Sequence, residues 1–145
     1  MILVDANLLI YAINTNSPQH SAARRCIEQL FSGRADVGLA WIVILAFLRL
    51  TTHPAVMRHP LSIESALTYV DEWLSLPSVT LVVPGPTHWA IFRKLMKSAN
   101  LAASLTSDAH LAALAIEHGC EIYSTDNDFL RFPGVTSINP LTTRS

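Results

Sequence analysis

The chain has 145 residues, half of them hydrophobic and 14% charged, with a mean hydropathy of +0.34; it can bury one sizeable core and is no disordered polar chain. Ten Lys and Arg against eleven Asp and Glu leave a net charge of -1, which excludes a globally basic nucleic-acid coat and confines any RNA or DNA contact to a local rim. Cys26 and Cys120 fall in no metal-ligand spacing and read as free thiols of a reducing compartment, so structural zinc is not expected.

The apolar start lacks a leading positive segment and carries Asp5 inside the run, unlike a signal peptide, which points to the cytoplasm. Ile2 to Val4 is a short β run that ends at Asp5, and Ala6 to Ile13 has helical character. Ser17-Pro18 opens a second helix expected to reach about Phe31, where Ser32-Gly33 stops it. Val37 to Leu39 is a second strand, followed by an apolar helix from Trp41 to Thr51. The 12-residue apolar run from Val37 to Leu48 is too short for the roughly 20 residues that span a bilayer. No membrane association is expected.

Ser62 begins a helix to about Leu74, Val79 to Val83 is a strong β run, and Thr87 caps a helix to about Ser98. Thr106 to Gly119 is the clearest helix, with a hydroxyl or Asp cap, an alanine-rich face and a terminating glycine. Glu121 to Ser124 is a strand, Asp126-Asn127-Asp128 a turn, and Val135 to Ile138 a last strand. Strands that alternate with helices argue one α/β domain over residues 1–145, its parallel sheet of about four or five strands flanked by helices.

Polar sites of such sheets gather beyond the carboxyl ends of the strands. Asp5 and Asp126 follow strand runs, and Asp108 lies in the first turn of its helix, where the dipole favours a carboxylate. Each alone reads more readily as a cap or turn former than as a ligand. Together, three acids at one sheet edge repel one another unless a cation joins them, and an all-oxygen set suits Mg²⁺, or Mn²⁺. Asp128 is a weaker ligand candidate. Asn7 and Thr125 are placed to orient these acids, or else to cap local turns.

At this point three segments carry a resemblance: Ile2 to Asn7, Leu105 to Ala115 and Ser124 to Phe129 resemble the acidic motifs of PIN-domain nucleases, most closely the VapC-type toxins of bacterial toxin-antitoxin pairs. The likeness covers nearly the whole chain. It implies a parallel α/β fold, Mg²⁺-dependent cleavage of RNA, a homodimer and inhibition by a cognate VapB-type antitoxin. On that pattern Asp5, Asp108 and Asp126 are catalytic and metal-binding, without any side-chain nucleophile. The pattern also carries a Glu on the helix after the second strand, where this chain has Ala46. An engineered inactivating change, favoured because the other acidic motifs are intact, or natural loss accounts for it; otherwise Ala46 is an ordinary small helix residue.

RNA contacts would fall to Arg49, Arg93, Lys94 and Arg131, unless these are simply solvated faces. His53, His59 and His110 read as surface or phosphate-contact residues. Two other functions compete: a phosphatase with Asp5 as nucleophile, weakened because Asn7 stands where a second Asp is usual, and a catalytically dead antitoxin-binding module.

Overall fold

A computed structural model describes residues 1–98 and 103–142. Five strands form one parallel sheet: β1 (Ile2–Val4), β2 (Val37–Ala40), β3 (Val79–Val82), β4 (Glu121–Tyr123) and β5 (Ser137–Ile138), in the spatial order β3-β2-β1-β4-β5. Every pairing is parallel, with Ile2 opposite both Val37 and Glu121. Among the described residues six helices flank it: α1 (Ala6–Ile13), α2 (His20–Gln29), α3 (Trp41–Thr51), α4 (Ile63–Ser75), α5 (His88–Ser98) and α6 (Thr106–His118). The central strands are apolar on both faces, as a sheet covered on both sides requires. Leu3, Val4, Val37, Leu39 and Ile122 are fully buried and join Leu8, Phe47 and Leu114 in the core. Among the described residues no helix is long and apolar enough to cross a membrane.

The expected elements are all present, with three local departures. The second helix begins at His20 rather than Ser17, because the Ser17 hydroxyl is engaged with Gln19 and its carbonyl accepts from the His20 amide, which closes a turn. The last strand starts two residues late: Val135 closes a turn onto the Phe132 carbonyl, around Gly134 at φ 86°. The start of α6 is not capped by Thr106, Ser107 or Asp108. Its cap residue is Leu105, which offers no side-chain bond, and the Thr106 hydroxyl donates back to the Ala103 carbonyl. Asp108 therefore keeps its carboxylate out of helix capping. The other end of α6 is as the sequence indicates: Gly119 adopts the left-handed conformation that lets the chain leave the helix.

Candidate metal centre

Parallel pairing places the carboxyl ends of β1 and β4 side by side, and the Asp5 amide donates to the Tyr123 carbonyl at 3.0 Å. Asp5 closes β1 and caps α1 by accepting from the Ala6 amide at 2.8 Å. Its second oxygen accepts the hydroxyl of Ser124 at 2.7 Å. Ser124, 2% exposed, is a junction: its oxygen also accepts the Asp126 amide at 2.9 Å and the Asn7 side-chain amide at 3.3 Å. Asn7 in turn accepts from the Thr125 amide at 3.5 Å. The chain that follows β4 is thus fastened to the end of β1 through the side chains of Asp5 and Asn7.

Asp126 accepts the Asp128 amide at 2.8 Å and so caps a short helical turn, Asn127–Arg131. That turn folds Asp128 back toward α6, and oxygens of Asp108, Asp126 and Asp128 lie within 4.8 Å of one another. Asp5 stands outside this trio, its carboxylate drawn to Ser124, but it acts on Asp108 through its charge. The Asp108 carboxyl is pushed up to about 6, by burial first and then by the negative charges of Asp126, Asp5 and Asp128. Burial also raises the Asp5 carboxyl, against the lowering effect of Ser124 and the Ala6 amide. A cluster of hard oxygen donors that hinders its own ionisation is a fitting host for a divalent cation.

The other expected site residues divide. Arg131 is no free cation, since its Nε lies 3.6 Å from Asp128 Oδ1. Arg49, Arg93 and Lys94 are exposed and, among the described residues, make no ion pair. Ala46 is half-buried on α3 and packs against the core. His53 accepts from the Ala55 amide in a local turn, and His59 is exposed. His110 departs from the surface position expected of it: its Nδ1 lies 3.0 Å from Nε2 of His88, between α5 and α6. Burial, and next the His88 ring, keep its titration below the usual histidine range. Ser124 and His88 are polar groups of this region to which the sequence pattern does not point. A Ser directly after a strand end, beside an acid, is the signal for the first; the second has none short of the α5 to α6 contact.

Ser124→Ala leaves the Asp126 amide and one Asp5 oxygen without their partner. The expected cost is about 1–3 kcal/mol of stability; denaturant unfolding of the metal-free protein measures it.

The PIN domain family profile matches residues 2–135, and the sheet order and acidic edge described above are the frame on which that match lies. Ribonuclease VapC37 of Mycobacterium tuberculosis is 45% identical over 93% of this chain and 94% of its own length. Ribonuclease VapC33 of the same organism is 40% identical over 97% of this chain and 99% of its own. The chain therefore belongs to the PIN domain family, as one of its VapC-type members. Among solved structures, VapBC2 from Rickettsia felis bound to a DNA fragment from their promoter superposes with a TM-score of 0.69 at 17% identity, covering 95% of this chain and 98% of that one. Mycobacterium tuberculosis VapC20, a Sarcin-Ricin loop cleaving toxin, superposes at 0.63 with 20% identity, covering 94% and 99%. These last two likenesses concern the fold.

Proposed function

We propose that the whole chain, 1–145, is one catalytic domain: a divalent-metal-dependent endoribonuclease and the toxin half of a type II toxin-antitoxin pair. The observation that carries this reading is the convergence of Asp108, Asp126 and Asp128 beside Asp5, in a chain 45% identical to a named ribonuclease. Asp108, Asp126 and Asp128 would hold Mg²⁺ or Mn²⁺, with Asp5 adding charge from the Ser124 side. When bound, the ion would lower the pKa of a water so that it ionises into a nucleophile for phosphorus, and would neutralise charge on the phosphodiester. Ser124 keeps Asp5 and the Asp126 loop in register, and Asn7 braces Ser124 and Thr125. Arg49, Arg93 and Lys94 supply phosphate contacts, which fix a strand without reading its sequence.

Exposed Trp41, Leu45, Ile63, Leu67 and Trp89 support apolar partners, a second copy and a VapB-type antitoxin. A phosphatase with Asp5 as nucleophile is disfavoured. Both Asp5 oxygens already accept hydrogen bonds, and Asn7 is occupied with Ser124.

Incubation of total RNA with the purified chain in Mg²⁺, with the new ends mapped, tests the reading. Discrete cuts that vanish in EDTA are expected; no cuts in Mg²⁺ or Mn²⁺ would overturn it. Because a cation must displace the proton from Asp108, apparent Mn²⁺ affinity is expected to climb with pH up to about 6 and then level off. Mn²⁺ titrations between pH 5 and 7.5 check this, and a flat profile contradicts it.

A further inference from the structure

We propose that His88 is a positioning residue for Asp108: by gripping His110 it sets the rotation of α6 that aims Asp108 at Asp126 and Asp128. The inference rests on the metal-site reading given above. His110 stands two residues beyond Asp108, about 200° around the helix, so the two side chains leave α6 on opposite sides. One reaches the acids, the other α5.

The grip is directional. His88 Nε2 and His110 Nδ1 are 3.0 Å apart, their rings inclined at 75°. The His88 ring stacks on Phe92 and is 13% exposed. Among the described residues, this is the one side-chain hydrogen bond that ties the first two turns of α6 to another helix. The far end of α6 is tied to the same segment. Glu117, seven residues after His110 and on the same face, accepts from the amides of Gly85 at 2.7 Å and Thr87 at 3.0 Å and from the Thr87 hydroxyl at 2.8 Å.

A Cβ at Gly85 would come within 2.6 Å of the Glu117 carboxylate and push it off these donors. His88 lies between the two ties, and its Nδ1, 3.9 Å from Glu117 Oε1, has no hydrogen-bond partner among the described residues. Two apolar side chains would fill this space without burying an unpaired nitrogen. What the histidines add is a single angular setting of α6. Partners that orient metal ligands from behind commonly change metal affinity 10- to 100-fold when removed.

The test compares His88→Phe, which keeps the stack on Phe92 and deletes the bond, with His88→Gln, whose amide reaches the place of Nε2. His88→Ala serves should the Phe ring fail to fit. Leu95→Ala, a core truncation on α5, controls for stability alone. Free Mn²⁺ counted by electron paramagnetic resonance gives the dissociation constant for each, and thermal melts give Tm. Expected are a roughly tenfold weaker Mn²⁺ site in His88→Phe or His88→Ala, recovery in His88→Gln, and a lower Tm with unchanged Mn²⁺ affinity in Leu95→Ala. Unchanged Mn²⁺ affinity in folded His88→Phe, or equal weakening in Leu95→Ala, overturns the positioning role and leaves the metal site standing. A wild-type chain that binds no Mn²⁺ overturns both.

Discussion

Asp108→Asn is expected to lower Mg²⁺-dependent RNA cleavage by about a hundred- to a thousandfold, on the scale of losing one preorganised charge-stabilising group, while making the metal-free protein more stable at pH 7. The opposed signs have one origin. The folded chain holds a proton on Asp108 up to about pH 6, whereas an ordinary aspartate loses it near 3.8. Folding therefore binds protons between those values, and stability falls as pH rises through that window. Above it, the ionised carboxylate faces Asp126, Asp5 and Asp128 at full charge. Asparagine removes that repulsion, for a gain of about 1–2 kcal/mol, kept below the full shift because the group is only part-buried and is screened by solvent. At pH 4 the gain disappears, as the wild-type carboxyl is then largely neutral. Urea unfolding at both pH values, beside a cleavage assay, checks the pair of signs. A variant both inactive and less stable at pH 7 would mean that Asp108 serves packing rather than a cation.

Ala46→Glu is expected to raise Mg²⁺-dependent cleavage at least about tenfold if position 46 belongs to the acidic centre, whereas Ala46→Gln, of nearly the same shape and no charge, is not. Ala46 is half-buried against the core on α3, so a carboxylate there without a cation carries a desolvation cost of several kcal/mol. The metal-free Glu variant should melt below wild type and recover most of that loss in millimolar Mg²⁺. A Glu variant that is destabilised and indifferent to Mg²⁺ would show that residue 46 faces only the core.

The architecture was legible because its signals are local. Trp41–Thr51 is an apolar run long enough for a buried helix, Thr106–His118 is an alanine-rich helical stretch ended by Gly119, and each short β run of β1 to β4 is bounded by a polar, Gly or Pro residue within a few positions. The acids were legible by position, each lying where a strand ends or a helix begins. Their ranking was not. Asp128 comes nearer to Asp108 and Asp126 than its place in a turn suggests, since the Asn127–Arg131 turn folds it back, while Asp5 is drawn away by Ser124, 119 residues later in the chain. The His88 to His110 contact spans 22 residues and depends on how α5 crosses α6, which no local pattern encodes. Arg131 likewise looked like a free cation until the same turn set it against Asp128.

The proposed metal centre stands or falls on where a cation binds. A crystal of the wild-type chain soaked in Mn²⁺ and measured at the manganese absorption edge locates it by anomalous scattering. The expected result is a peak among the carboxylates of Asp108, Asp126 and Asp128, absent from crystals of Asp108→Asn. Manganese bound elsewhere, or no peak at millimolar Mn²⁺ in a wild-type crystal whose acidic edge is open to solvent, would contradict it.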